Sequence, residues 1–420
     1  MEGKTSRLGY LVQLVFLSTI FICFVSCGVG KVKVDRYNYI QRPTDTSVTI
    51  AWRTMQSKKG EIVWGVSKDQ LVYKLKDSTA TQKHFFNLTD LTPNTKYFYQ
   101  TTAFTNNSVA IDSFYTAKRR ANPDFSFLHY GDCGTGELIQ EVMAEAMEIE
   151  VNKSAVDFSL VAGDVDQNKG GNYDEIFFLK YKNMLKHSCH YTALGNHDSY
   201  RNKGKTYLDA FYLPSSNNLE NTERYYSFSW GNAKFICLDS NYGLIGTHRG
   251  GGVKSKAQLL WLEHELKCND KKWVFVYFHH PPYTVAWTGD YYVPLTPYFR
   301  YTGTKKVVKS WMPLFEKYQV DFVLTGHAHC YQRGIYNGVN YVISGSAGTE
   351  LAHMDKVLTR RDADGNWIKR SRIDSLRTPD EMYHNNDSIV QFYDVKGVFP
   401  TVIYLFVKIN LYGLMLQKMA

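Results

Sequence analysis

The stretch LVAGDVDQN, residues 160–168, ends an apolar run in two carboxylates, Asp164 and Asp166, followed by Gln167. Gly and Asp both suit turns, so one such cluster implies no more than a turn. Comparable clusters close four other apolar runs: GDCGTG at 131–136, GNHD at 195–198, HHPPY at 279–283 and GHAH at 326–329. Together they offer Asp132, Asp164, Asn196, His279, His327 and His329, a mixture of carboxylate, amide and imidazole. That mixture suits borderline first-row metals better than Ca²⁺ or Mg²⁺, whose sites are nearly all oxygen. One residue separates His327 from His329, so each could face a different ion.

The elements that must position these residues follow a strand, loop, helix rhythm from Phe125 onward. FSFLHY, VDFSLVA, HYTAL, KWVFVYF and DFVLT read as buried strands, each delivering one polar cluster at its carboxyl end, where ligand sites of α/β sheets gather. ELIQEVMAEAMEIEV predicts a helix whose stripe of Leu138, Val142, Ala146 and Ile149 faces the core. YDEIFFLKYKNML and AQLLWLEHELK predict two more helices, and YYSFSWGNAKFICLD a hairpin turning at Gly231-Asn232. Residues 31–118 differ, reading as short strands with no helix. In TSVTIAWRT, Val48, Ile50 and Trp52 alternate with Thr49, Ala51 and Arg53, and Leu91 to Tyr97 resembles the tyrosine corner of fibronectin type III sandwiches. The polar stretch 117–123, ending in Pro, marks a boundary. The expected order is a signal at 1–27, an all-β sandwich at 31–118, an α/β domain at 124–397 and an unassigned segment at 398–420.

GDCG, GD, GNHD, VYFH and GHAH, in this order, resemble the five blocks of the calcineurin-like metallophosphoesterases, and of purple acid phosphatases in particular. YYSFSWGNAKFICLDSN and YVISGSAGTE resemble the intervening segments, so the likeness runs over roughly residues 40–350. It implies a fibronectin-like N-terminal domain followed by an α/β/β/α metallophosphoesterase domain. It further implies that Asp164 bridges two metal ions, that Asp132 and His329 bind the first, and that Asn196, His279 and His327 bind the second. The V-x-x-H spacing of VYFH selects His279 over His280 as ligand, leaving His280 to support or packing. A metal-bound hydroxide would be the nucleophile. His197 would stabilise the phosphoryl group or protonate the leaving alcohol, with Asp198 orienting its ring.

The chain departs from the coloured enzymes at the second block. Their GDxxY places a tyrosinate on ferric iron, whereas three residues after Asp164 stands Gln167. Other family members carry a His two residues after the first Asp, where this chain has Gly134. The vacancy falls to water or to a weak Gln167 oxygen, with Tyr173 folding back as the third alternative. The expectation is a colourless enzyme with two divalent ions, iron, zinc or manganese, the first held more loosely. The phosphate-holding histidines of plant members have no counterpart in 283–295, where Tyr283, Trp287 and Tyr291 are candidate wall residues, and His248 and Arg249 are candidate phosphate contacts from a loop.

The remaining composition bounds the cellular setting. Lys4 and Arg7 precede an apolar stretch from Leu8 to Val25 that ends in Ser26-Cys27-Gly28, the pattern of an export signal of lipoprotein type. Any membrane attachment is therefore expected through that N-terminus, with the domains outside the cytoplasm. The net charge of +9 over 420 residues is modest, and no block of like charges predicts a nucleic-acid partner. The expected partner is a small phosphate ester, as a monoester, with a diester, a nucleotide or a non-catalytic surface role as alternatives. Of seven cysteines, Cys133, Cys189, Cys237, Cys268 and Cys330 remain beyond the signal, an odd number that cannot pair completely. VFPTVIYLFVKINLYGLMLQKMA carries Lys408 and Asn410 in its middle and reads as strands rather than a membrane span.

Overall fold

A computed structural model of the chain describes residues 36–102, 110–119, 121, 124–154, 156–215, 222–241, 255–283 and 309–349, and the backbone of strands at 359–361, 367–369, 391–393, 405–410 and 413–418. The signal segment, the loop holding His248 and Arg249, Trp287, Tyr291 and most of 351–383 lie outside the described residues.

Seven strands build the N-terminal sandwich. β1 (Arg36–Gln41), β2 (Val48–Lys58) and β5 (Thr81–Leu88) form one antiparallel sheet; β4 (Tyr73–Lys76), β3 (Glu61–Gly65), β6 (Lys96–Thr102) and β7 (Asp112–Tyr115) form the other. The tyrosine corner is present, the Tyr97 hydroxyl accepting the Thr92 N–H at 2.9 Å. The alternation in β2 predicts one buried face, yet Thr49 and Ala51 are as buried as Val48, Ile50 and Trp52. The reason lies in what covers the second face. Ala51 pairs with Tyr39, whose hydroxyl donates to the Ala210 carbonyl at 3.2 Å, and Gln41 accepts the Tyr212 N–H at 3.0 Å. Buried Arg36 pairs with Asp174 at 2.5 Å and donates to the Ala210 carbonyl at 2.8 Å. The sandwich is thus docked on the α/β part by hydrogen bonds that need both.

Two facing sheets make up the α/β part. The first runs β10 (Cys189–Thr192), β9 (Phe158–Val161), β8 (Phe125–Tyr130), β20 (Leu405–Asn410), β21 (Gly413–Lys418). β8, β9 and β10 are parallel, and the β20–β21 hairpin adds antiparallel to β8. The second runs β11 (Tyr226–Trp230), β12 (Ala233–Cys237), β13 (Trp273–Phe278), β14 (Phe322–Thr325), β16 (Val339–Ser344), β15 (Tyr331–Tyr336), β19 (Gln391–Tyr393). A separate ribbon pairs β17 (Thr359–Arg361) with β18 (Trp367–Lys369). Strands buried on both faces explain the continuous apolar runs of β8, β9 and β14. Aromatic rings meet between the sheets: Phe127 stacks on Phe158 at 5.3 Å, and both meet Phe235 edge-on at 5.3 and 5.1 Å. Such contacts contribute about 0.5–1.5 kcal/mol each beyond burial.

Helices cover the outer faces. α1 (Leu138–Ser154) lies over the first sheet; α3 (Ser255–Lys267) and α4 (Met312–Lys317) pack Trp261, Leu266 and Phe315 against Val274, Val276 and Val323 of the second. A short helix, α2 (Asn196–Tyr200), precedes them. The predicted stripe of α1 is corrected: Leu138, Val142 and Ile149 are 73%, 52% and 48% exposed, and the buried face carries Gln140, Met143, Ala144 and Met147. Both sets have helical spacing. The second wins because Gln140 is held on both sides, accepting the Gly136 N–H at 2.7 Å and donating to the Ile176 carbonyl at 2.6 Å. The helix predicted over YDEIFFLKYKNML is a π turn at Asp174–Phe178 followed by a helical turn at Lys182–Leu185. Three consecutive buried residues, Ile176, Phe177 and Phe178, account for the wider turn.

All five cysteines of the described residues are free, and only Cys268 is exposed. Burial pushes the Cys189 and Cys237 thiols up, so both behave as small core residues.

Candidate metal centre

Asp132 follows β8, Asp164 follows β9, Asn196 opens α2 after β10, His279 follows β13, and His327 and His329 follow β14. Parallel strands put these positions at the carboxyl ends of strands in the two sheets. Asp132, Asp164 and His327 adopt left-handed backbone, with φ of 56°, 52° and 64°. That conformation disfavours residues with a Cβ, so the strain falls on residues of the site itself. The loops approach so closely that a Cβ on Gly195 would collide with the Asp164 carboxylate, and one on Gly163 would come within 2.7 Å of His279 Nδ1.

Six donors converge. His279 donates its Nδ1–H to the Ala162 carbonyl at 2.7 Å, which turns Nε2 toward the centre. There Nε2 lies 2.8 Å from Asn196 Oδ1, 3.1 Å from His327 Nδ1 and 3.3 Å from Asp164 Oδ2. The His327 N–H donates to Asp132 Oδ2 at 2.6 Å, and the buried Asp132 Oδ1 accepts no hydrogen bond from the described residues. His329 Nε2 stands 3.6 Å from that same oxygen. Asp132, Asp164 and His279 offer ligand atoms within 4.8 Å of one another, and so do His279, His280 and His327.

The electrostatics describe a place short of positive charge. Burial pushes the Asp132 carboxyl up, against the pull of His279 and His329. Burial would do the same to Asp164, but His279 and His197 outweigh it and hold that carboxyl well below the usual range. Burial also opposes the His279 charge, yet Asp164 and Asp132 push this imidazole up to about 9. Donors of this kind at this density fit divalent metal ions.

Residues around the centre behave less uniformly. His197 donates its Nδ1–H to the Gln167 carbonyl at 2.8 Å and holds Nε2 3.9 Å from Asp164 Oδ2. Asp198 does not orient that ring, which corrects the expectation. Its buried carboxylate accepts the N–H groups of Val165, Asp166 and Gly195 at 3.2, 3.1 and 3.0 Å and the Tyr173 hydroxyl at 3.0 Å. It therefore ties the Asp164 loop to the Asn196 loop, and burial together with the Asp164 charge pushes it up to about 7. Tyr173 is committed to that knot and does not fold back to the centre. Asp166 is buried and accepts the Asn168, Gly171 and Asn172 N–H groups. The Gln167 side chain turns its amide N–H to the Asp132 carbonyl at 3.0 Å. Tyr283 packs between Tyr336 and Tyr341, each 5.1 Å away. One contributor escaped sequence reasoning: Ser240, whose hydroxyl lies 2.8 Å from His280 Nδ1 and accepts the His280 N–H at 3.1 Å. Nothing in the LDSN stretch signals it.

Residues 125–331 match the family model of calcineurin-like phosphoesterases. Protein Rv2577 of Mycobacterium tuberculosis is 28% identical over 145 residues, 33% of this chain and 24% of that protein, so the match spans about a quarter of its length. Purple acid phosphatase 7 of Arabidopsis thaliana is 26% identical over 252 residues, 55% of this chain and 72% of that protein. Among solved structures, the purple acid phosphatase PPD1 from yellow lupin (Lupinus luteus) seeds shares the fold with a TM-score of 0.63 at 15% identity, over 92% of this chain and 72% of that one. The ordered blocks thus all fall within residues 125–331, the span that matches the calcineurin-like phosphoesterase family, on a fold shared with a purple acid phosphatase.

Proposed function

We propose that the chain is an exported phosphatase that hydrolyses phosphate monoesters at a two-metal site. The observation that carries this reading is the meeting of Asp164 with donors from both sides: His279 at 3.3 Å and the His197 N–H at 2.9 Å. Asp164 would serve both ions, Asp132 and His329 the first, and Asn196, His279 and His327 the second. Two divalent ions held by these residues would supply the charge that neutralises phosphoryl oxygens and acidifies a water molecule. His197 supplies the proton. Its Nδ1–H is fixed on the Gln167 carbonyl, which leaves Nε2, 3.9 Å from Asp164 Oδ2, as the nitrogen through which a proton would pass. Asp198 and Asp166 hold the loops that carry these groups, and the Ala162 carbonyl fixes the His279 tautomer. Gln167, with its amide N–H on the Asp132 backbone, supplies no phenolate, which supports a colourless centre.

Elemental analysis combined with turnover of p-nitrophenyl phosphate against its bis ester tests the reading. Two metal equivalents and preference for the monoester are expected; preference for the bis ester moves the assignment to a diesterase, and neither metal nor turnover removes it. Gln167→Tyr should add a visible phenolate band to the iron-loaded protein. Export rests on the N-terminal pattern ending at Cys27; among the described residues no helix is long and apolar enough to cross a membrane. Cys27→Ser should release the protein from the membrane fraction if that cysteine carries a lipid.

A further inference from the structure

His280 stands beside the centre without a role in the reading above. Its side chain is fully buried, its ring centroid lies 4.5 Å from that of His327 and 4.8 Å from that of His279, and its Nε2 meets no hydrogen-bond partner among the described residues. A buried polar atom left unmatched costs roughly 1–3 kcal/mol, so a native fold keeps one where something else satisfies it. The other ring nitrogen is occupied. Nδ1 lies 2.8 Å from the Ser240 hydroxyl, which also accepts the His280 backbone N–H at 3.1 Å and can take the Nδ1–H on its second lone pair. That tautomer leaves the lone pair on Nε2, on a ring with a nitrogen within 4.8 Å of ligand atoms of His279 and His327. Ser240 then plays toward His280 the part that the Ala162 carbonyl plays toward His279: each fixes one nitrogen so that the other is free to bind.

We infer that His280 is a further metal ligand, completing a three-imidazole set with His279 and His327 on the second ion. The three residues offer nitrogens within 4.8 Å of one another, a spacing that small ring rotations close onto one ion. The inference rests on the metallophosphoesterase reading and sharpens it. With Asp164 and Asn196, the second ion gains a nitrogen-rich site that suits zinc, while the first keeps Asp132, Asp164 and His329 and no fourth side chain. The two ions therefore bind with unequal affinity, the second first.

Zinc is the probe. The metal-free full chain is loaded with one equivalent, imidazoles are counted by X-ray absorption at the zinc edge, and affinity is measured against a chelator. Three imidazoles in the wild type, and a loss of affinity of at least about tenfold in His280→Gln, are expected. Ser240→Ala, which frees Nδ1 but keeps the ligand, should lose less. Two imidazoles or fewer in the wild type overturn the inference whether or not the variant folds, as does a folded His280→Gln with unchanged affinity. A wild type that binds no zinc at all overturns the two-metal reading as well, which separates the two failures.

Discussion

The two sheets of the α/β part bring opposite chemistry to one edge. β8, β9 and β10 end in Asp132, Asp164 and Asn196, all oxygen donors; β13 and β14 end in His279, His280, His327 and His329, all nitrogen donors. The cluster of Asp132, Asp164 and His279 draws on both sheets. Asp164 and His279 come within 3.3 Å because the aromatic layer of Phe127, Phe158, Phe235 and Phe275 sets the distance between the sheets. Histidine also means different things on the two sides. In the first sheet, His129 and His190 lie inside β8 and β10, bonded to the Thr325 carbonyl and the Tyr130 hydroxyl, and serve the core.

The comparison breaks most sharply at the residue where the two chemistries meet. Asp164→Asn should abolish measurable phosphate release and lower the metal content, because loss of a merely supporting group already costs roughly 10–100-fold. Turnover within about tenfold of wild type, measured on metal-saturated protein, would show that the oxygen side does not depend on this carboxylate.

His197 is the one imidazole supplied from the oxygen side, and His197→Ala should lower kcat by roughly 10²–10⁴-fold. Metal content should stay near wild type, since its Nε2 stands 3.9 Å from Asp164 Oδ2, beyond hydrogen-bond reach. A parallel fall in metal content would make it a ligand rather than a proton donor, and the division between the sheets would need redrawing.

The smallest effect separates core histidines from those at the edge. Burial pushes His190 down to about 3 and His129 down to about 4. In the unfolded chain each takes a proton near pH 6.5. Below that pH the unfolded state binds protons that the folded state refuses, so stability falls as pH drops from about 6.5 toward 4. Each group contributes about 1.4 kcal/mol per pH unit across that window. Chemical denaturation of His190→Phe at several pH values should show a shallower slope than wild type; an identical slope would mean that this ring is protonated in place.

Much of this arrangement is legible in the sequence because strand ends carry their own signature. An apolar run stopping at Gly-Asp, Gly-Asn-His or Gly-His exposes side-chain chemistry at a known edge, and the order of the runs carries the fold. What stayed hidden depends on partners distant in sequence. The two helical ridges of α1 are equally plausible by spacing, and only the bonds of Gln140 to Gly136 and Ile176 select between them. Asp198, adjacent to His197, reads as its orienter, but its carboxylate is drawn to the backbone amides of two loops. The left-handed backbone of Asp132, Asp164 and His327 leaves only a weak mark in residue type, since Asp and His enter that conformation more readily than most residues but Gly is the one it favours.

The β20–β21 hairpin bears on how the centre comes into being. β8 lies between β9 and β20, with Leu405 opposite His129 and Ile409 opposite Phe125. Until that late segment has been synthesised, one edge of the strand leading to Asp132 has no hydrogen-bonding neighbour. An open, apolar edge is a template for pairing with another chain. Long-range pairing of this kind is also slow to form. The first sheet, and with it the oxygen half of the centre, is therefore the half whose assembly waits longest on the ribosome and is most exposed to aggregation on the way.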